Sequence, residues 1–563
     1  MTHGLGEAGL AAEIAHDGLG RASRTSGGKR IVRLFARMRL GIGGHTARQI
    51  QPDGVELRHW AIGIVLFSVL LRALFIAHIE LLPEEAYYWN YSRHIDIGYL
   101  DHPPMVAWLI RAGTLIAGDT AWGVRLGSLC CGLIAAAFCY TITRNLYGEK
   151  AALIALIFVQ TLPFFFMSGL LMTPDSPLAA AWAAFFYYLE RVLAGRSLAW
   201  IGVGCALGLG LLSKYTIGLA ALAAFGYVIA TKDLRFWLRR VGPYLAAVLA
   251  LALFLPVVVW NYQHGWSSFT FQTVRRLAEP SRFSWFNLIG SAVVLIGPTG
   301  FLTAIALASG KVDREGVSSD EVRMTRQRRL AFWLVGLPLG VFSVFSINHQ
   351  IKLNWIGPCW VAAIPLMSHA MLAWRRGAGR YRAWLAAAWP ATTGIFLTIY
   401  MVGFSYLAFG LPGIGYSVHM ELAPVGWREL AQQVGEIAHK IETDSGRDLL
   451  IVGMDRYETA SELAFYLRNP LNAITATSAG HLFGGVGLMY EQWFPAYRTV
   501  APQLLLVGWN RRDLSDERLA PYVDRLGPLL SGSIERNGHF IRQYFYRVGY
   551  GYPKENTHPL ASH

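Results

Sequence analysis

"AIGIVLFSVLLRALFIAHIELLPEEAYYWNYSRH", residues 61–94, decides how this chain is read. Its first nineteen residues are an apolar run interrupted by one arginine. Apolar runs of about 18 or more residues read as membrane spans, because in hydrocarbon a helix satisfies its own backbone. The run ends abruptly in two adjacent glutamates, Glu84 and Glu85, framed by Tyr87, Tyr88 and Trp89. Two like charges side by side, where a span has just ended, ask for a chemical reason.

The remainder of the chain repeats the apolar theme. Of 563 residues, 54% are hydrophobic and 15% are charged, with a mean hydropathy of +0.35. A soluble chain carries roughly a quarter charged residues, so this is a polytopic α-helical membrane protein. Candidate spans cover 58–79, 122–143, 151–172, 178–193, 199–213, 216–231, 241–260, 287–308, 331–347, 354–373 and 383–409, about eleven in all with a range of 10–13. "MVAWLIRAGTLIAG" (105–118) is too short to cross and is expected to lie along the interface.

A net charge of +14 invites a nucleic-acid partner, but the basic residues are dispersed through short loops between apolar runs. With the basic N-terminus placed inside, alternation makes "RNLYGEK", "AGRS", "TKDLRFWLRR", "KVDREGVSSDEVRMTRQRR" and "WRRGAGRYR" the inner loops, as the positive-inside rule requires. Parity then sends the C-terminal region outside. The five cysteines all lie in apolar segments, without the spacing of a metal site.

Four segments follow: a basic cytoplasmic tail (1–56), a transmembrane domain (57–410) whose first external loop is 80–121, an extracytoplasmic region (411–550) and a short tail (551–563). In the third, "WRELAQQVGEIAHKIE" and "ETASELAFYLRN" have helical spacing, while "LLIVGM" and "QLLLVGW" read as buried strands. The expected unit is a small C-terminal α/β domain.

Polar residues gather at the outer ends of the spans: Glu84 and Glu85; Asp101 and His102 in "GYLDHPP"; Arg125 in "WGVRLG"; Asp175 in "TPDSP"; Lys214 in "LLSKYT"; His264 in "NYQHGW"; Lys352 in "NHQIKLNW". Singly, exposed loop charges are often just solvated. Together they suit transfer of a group away from a phosphate. A desolvated carboxylate near a second one acts as base near neutral pH, and cations hold the departing phosphate. Carboxylates with a histidine also suit a divalent metal. Arg72, inside the first span, is expected to face a cavity or partner, or to snorkel outward.

The succession "PEEAYYW", "GYLDHPP", "TPDSP" and "SK" resembles the bacterial polyprenyl-phosphate-sugar glycosyltransferases of the GT-C fold. That superfamily includes the protein O-mannosyltransferase-like enzymes, the lipid A aminoarabinose transferases and the rhizobial galacturonosyltransferases. The resemblance covers roughly 58–410, and "GWRELAQQV" and "RYETASELAFYL" extend it into the tail. It implies an inverting transferase that moves a sugar from a polyprenyl-phosphate carrier to an envelope acceptor such as lipid A or the lipopolysaccharide core, in the bacterial inner membrane. Its base stands first in an acidic pair that is Asp-Glu in the family and Glu84-Glu85 here, which leaves both glutamates as candidates beside Asp175. The resemblance places His102 where a relative has a phosphate-contacting lysine; Arg125, Lys214, Lys352 and Arg72 are the further candidate cations for the donor phosphate. Asp101 and His264 match positions that can hold a metal.

Competing classes are a nucleotide-sugar transferase, an O-antigen ligase-like transferase and a lipid-linked-sugar transporter or flippase. No two aspartates are separated by a single residue, which removes the usual metal clamp of the first. A ligase-like enzyme is expected to use external arginines and a histidine rather than paired carboxylates. A transporter is expected to carry charges near mid-membrane and broken helices.

Overall fold

The computed structural model describes residues 54–554, apart from 276, 279, 310–318, 376–378, 412, 414, 417–423 and 468–476. The basic tail read as 1–56 and the end of the chain therefore lie almost wholly outside the described residues.

The chain begins with α1 (Gly54–His78), then α2 (Pro83–Arg93) and α3 (Met105–Ala117), two short helices that make up the loop 80–121. The bundle continues through α4 (Ala121–Tyr147), α5 (Glu149–Thr161), α6 (Pro163–Ser168), α7 (Asp175–Leu193), α8 (Ala199–Leu211), α9 (Gly218–Ala230) and α10 (Val241–Gln263). It closes with α11 (Trp285–Ser309), α12 (Ser319–Phe345), α13 (Ile364–Trp374) and α14 (Gly379–Phe409).

Six described helices are long and apolar enough to cross a bilayer, eight if each of two bent pairs counts as one span. The larger number expected from sequence took in shorter pieces. Residues 151–172 break at Pro163 into α5 and α6, and α8 has 13 residues. Hydropathy registers apolar length but is blind to breaks, so it cannot separate a crossing helix from a buried fragment. The interfacial expectation for 105–118 meets a helix with Leu115 and Ile116 exposed. On α1 and α10 the exposed residues include Leu66, Phe67, Leu70, Leu74, Val248, Leu251 and Leu255, surfaces suited to lipid.

Small residues allow the close approaches inside the bundle, as is usual where helices pack in lipid. Gly204 and Gly208, one turn apart on α8, face α10. A Cβ at Gly204 would stand 2.7 Å from the Ala246 carbonyl oxygen, and one at Gly208 2.7 Å from Leu253 Cβ.

The C-terminal domain has α15 (Trp427–Ser445), β1 (Leu449–Gly453), α16 (Glu458–Tyr466), β2 (Thr477–Ala479), β3 (Ala501–Gly508), β4 (Arg525–Leu526), β5 (Leu530–Arg536) and β6 (His539–Tyr552). The sheet runs β2-β1-β3-β6-β4, with β5 paired to β6. β1 is parallel to β2 and β3, and β6 returns antiparallel. Every β1 residue is buried, consistent with a continuous apolar strand covered on both faces. The turn from β5 to β6 is Asn537-Gly538, both with positive φ (53° and 76°), which a two-residue hairpin favours.

The domain packs directly on α2. One apolar cluster contains Tyr87, Trp89 and Tyr91 of α2 together with Ala460, Ala464, Phe465, Met489 and Tyr490 of the domain. Leu81 N–H donates to the Tyr466 hydroxyl (2.9 Å), Met489 N–H to the Tyr87 hydroxyl (3.2 Å) and Trp427 N–H to Glu80 (2.8 Å). Arg536 bridges Glu80 and Glu429.

Gly204→Val tests the helix contact, because the neighbour it meets is backbone and cannot swing away. Thermal unfolding of the purified protein is expected to show a loss of about 1–3 kcal/mol, with Cys205→Ala nearly neutral.

Candidate active site

The site starts where α1 hands over to α2. Leu82 is extended and Pro83 occupies the first helical position, where its missing N–H costs nothing. Glu85, two residues further on, folds back to accept from Leu82 N–H (3.1 Å). Its carboxylate also accepts from Arg125 Nε (2.9 Å) and Nη2 (2.6 Å) and from Met172 N–H (2.9 Å). Arg125 also donates to the carbonyls of Ile79 (from Nη1, 2.9 Å) and Glu80 (from Nη2, 2.7 Å). Both side chains are sealed, at 0% and 1% exposure. Arg125, expected to hold a donor phosphate, is thus fully engaged within the protein, and Glu85 has no oxygen left for an acceptor.

Glu84, one residue earlier on the helix, points the other way and is exposed. Surrounding protein nevertheless pushes its carboxyl above the usual range; Glu458 and Glu85 add repulsion, while its own backbone N–H and Lys352 oppose. Four residues on, the Tyr88 phenol is raised well above its ordinary pKa, chiefly by burial, and feels Asp101, Tyr457, Glu84 and Asp175. Carboxylates of three distant segments thus all act on one tyrosine.

Asp175 opens α7 directly after Pro174. It forms an ion pair with Lys214 Nζ (2.8 Å) and accepts from Asn354 Nδ2. Asn354 belongs to a 3-10 turn, Leu353–Ile356, immediately after the exposed Lys352. Asn354 went unnoticed in the sequence because a neutral amide carries no charge signal; its place in "KLNW", next to a candidate cation, was the only hint.

The segment "GYLDHPP" lies under α10. A Cβ at Gly98 would stand 2.6 Å from Trp260 Cγ, so only glycine permits this approach, and Trp260 Nε1 donates to Asp96 (2.9 Å). Asp101 is buried and accepts from Tyr91 and Tyr87 (3.2 Å for Tyr87); burial raises its carboxyl, and those bonds oppose the rise. His102 sets its ring edge-on to Tyr88 at 5.7 Å.

Three expectations need correction. Arg72 does not snorkel and meets an internal partner rather than standing open to a donor phosphate: it is buried, donating to Ser68, Gln160 (2.7 Å) and the Phe166 carbonyl (3.3 Å). Arg125 belongs to the ion pair above. His264 is exposed and stacks on Trp260 (4.1 Å), its Nδ1 against that residue's carbonyl (2.8 Å). Among the described residues no group of three or more His, Cys, Asp or Glu is placed to hold a metal ion, so Asp101 and His264 do not form the expected ligand cluster. An apolar cavity of about 430 Å³ beside Phe301, Phe332, Trp333 and Trp360 is lined by none of the acidic residues described here.

The C-terminal domain adds residues that charge counting had left outside the site. Tyr457 packs its ring 4.5 Å from Tyr87, and Glu458 acts on Glu84. One turn further along α16, Glu462 is fully buried, and neither of its oxygens has a hydrogen-bond partner among the described residues. Burial first, then Glu80 and Glu85, hold its carboxyl well above the ordinary value, against the pull of Arg125. A carboxyl so placed is neutral, since an unpaired charge there would cost far more than a proton.

Comparisons with known proteins bear on the fold and the class of enzyme. The model of the dolichyl-phosphate-mannose-protein mannosyltransferase family matches residues 101–260. The chain is 25% identical to the lipid A galacturonosyltransferase of Rhizobium johnstonii, over 79% of this chain and 89% of that one. It is also 25% identical to an undecaprenyl phosphate-alpha-4-amino-4-deoxy-L-arabinose arabinosyl transferase of Pseudomonas fluorescens, over 56% of this chain and 57% of the relative. Among solved structures, ArnT from Cupriavidus metallidurans in the apo state superposes with a TM-score of 0.58 at 17% identity, covering 87% of this chain and 98% of its own. The same protein bound to undecaprenyl phosphate gives 0.57. At that identity the likeness shows the fold.

Neutral Glu462 has a consequence for stability. A carboxyl whose folded pKa is raised supports the fold fully below the ordinary carboxylate range, and that support is lost as pH rises through the raised value. Glu462→Gln is expected to remove this decline: the melting temperature of the variant falls less between pH 5 and 9 than that of the unaltered protein, by differential scanning fluorimetry.

Proposed function

We propose that this chain, a GT-C-fold glycosyltransferase of the bacterial inner membrane, moves a sugar from a polyprenyl-phosphate carrier to lipid A or a closely related envelope glycolipid, with Glu84 as the base. The fold and the matched relatives make it a membrane glycosyltransferase that uses a polyprenyl-phosphate sugar. The observation that carries the choice of Glu84 is the division of labour within the acidic pair. Glu85 is consumed by Arg125, Leu82 and Met172, whereas Glu84 is open and raised toward neutrality.

In the proposed reaction the acceptor hydroxyl gives its proton to the Glu84 carboxylate. Its oxygen attacks the anomeric carbon from the face opposite the phosphate, and the carbon–oxygen bond to the carrier breaks. The pair of electrons leaves with the polyprenyl phosphate, whose growing charge falls to Lys352, His102 and Lys214, and the product is inverted at the anomeric centre. Asp175 and Asn354 hold Lys214 and the Lys352 turn in place. In this reading the N-terminus is cytoplasmic, and the C-terminal domain lies with the site on the periplasmic side, where nucleotide sugars are absent.

The test uses the full chain in vesicles containing lipid A, with polyprenyl-phosphate galacturonate and undecaprenyl-phosphate aminoarabinose offered separately. Glu84→Gln is expected to reduce transfer by at least about a hundredfold, and Asp175→Asn to cause a large loss, with both proteins still inserted and folded. Wild-type rates in Glu84→Gln would remove the assignment. Movement of the donor across vesicles without transfer would favour a carrier instead.

The pH profile offers a second check. A base must be deprotonated to work, so activity falls with decreasing pH through the Glu84 value, above the usual carboxylate range. Removing the Glu458 charge (Glu458→Gln) is expected to move this acid limb to lower pH, and Lys352→Met to higher pH. Unmoved limbs in both would contradict the electrostatic account.

A further inference from the structure

We propose that Tyr457, in the turn between β1 and α16 of the C-terminal domain, is an acceptor-positioning residue whose hydroxyl holds the glycan beside Glu84. The proposal rests on the reading of Glu84 as the base.

The turn is delivered to the site by the packing of the whole domain on α2, so its position is set by a large contact rather than by a floating loop. The Tyr457 ring lies 4.5 Å from that of Tyr87, while Tyr457 N–H donates to the Glu458 carboxylate (3.0 Å). At the other end of the turn, Asp455 accepts from Thr459 N–H (3.1 Å) and its hydroxyl. The residue is therefore fixed on both its ring and its backbone.

Its hydroxyl, like that of the more deeply buried Tyr88, differs from those of the other tyrosines around it. Tyr87 donates to Asp101, Tyr91 to Asp101, Tyr99 to the Tyr91 carbonyl (3.0 Å), and Tyr466 accepts from Leu81. Tyr490 pairs with Ser461 (3.2 Å). The Tyr457 hydroxyl has no hydrogen-bond partner among the described residues, and the residue is only half-buried. A phenol that is buried in earnest normally finds a partner; one left open at a site is a donor available to a ligand.

What that ligand is follows from the surroundings. Glu84, Glu458 and Asp101 all bear on the phenol and, behind the effect of burial, help keep it protonated, against the weaker pull of Arg456 in the same turn. Three carboxylates facing one arginine disfavour a bare anion but accept hydrogen bonds from hydroxyl groups, so this corner suits the hydroxylated ring of an acceptor. The cations assigned to the phosphate lie on other segments. By holding a polar group next to the reacting hydroxyl, Tyr457 selects which hydroxyl faces Glu84. It acts on positioning and takes no proton.

The experiment measures KM for acceptor and donor separately in Tyr457→Phe, using purified lipid A in vesicles with the donor found active above. The phenylalanine ring keeps the packing on Tyr87, so folding is preserved and only the hydroxyl is lost. The acceptor KM is expected to rise about three- to tenfold, the loss of one neutral hydrogen bond, while the donor KM stays within twofold. The product from a minor hydroxyl is expected to increase in mass-spectrometric analysis. An unchanged acceptor KM, or an equal rise in both KM values, would overturn the proposal. Glu84→Gln, assayed in parallel, separates the premises: if it transfers normally the base assignment is lost, whatever Tyr457 does.

Discussion

The ion pair between Glu85 and Arg125 is the contact on which the site depends. It joins the start of α2 to α4 and, through Met172 N–H, to the strand of chain that leads into Asp175. Burying two charges is expensive, and such a pair rewards the fold only when the remaining donors and acceptors are also satisfied. Here most are, by the carbonyls of Ile79 and Glu80 and the amides of Leu82 and Met172. The pair contributes less to net stability than to uniqueness. With Glu85 held inward, the helix can present Glu84 in only one direction.

A second layer of the same logic joins the C-terminal domain to the bundle. Glu80, the last acidic residue before α2, accepts from Trp427 N–H and pairs with Arg536, while the aromatic side chains of α2 pack into the domain. Neutral Glu462 lies behind this junction. Four carboxyl groups, Glu80, Glu84, Glu85 and Glu462, therefore occupy one small region and meet four different fates: bridged, open, paired and protonated. Environment, and not residue type, distributes the roles.

Much of this was legible in the chain. The apolar runs announced a membrane bundle because hydrocarbon leaves a backbone little alternative. "LLIVGM" and "QLLLVGW" announced strands because short, continuous apolar runs need cover on both faces. The Asn537-Gly538 hairpin was also written locally, though the sequence reading passed over it. What misled was charge without context. Arg72 and Arg125 looked like ligands for phosphate, yet Gln160 and Phe166, some 90 positions from Arg72, and Glu85, 40 positions from Arg125, absorb them. Neither partner is visible in a local window. Asp101 and His264 were likewise joined by analogy, and the tyrosines of α2 and the stack on Trp260 take them apart.

The amino-acid order by itself determined that the chain lives in a bilayer, that acidic and basic residues collect at the ends of its helices, and that a mixed α/β unit follows. These properties depend on hydropathy and spacing, which are local quantities. Which carboxyl is buried, which cation is spent on an internal partner, and that the turn carrying Tyr457 and Glu458 comes to rest beside Glu84 were decided only by the tertiary structure. The free energy of a charge is set by everything packed around it, and that surrounding is assembled from segments hundreds of residues apart.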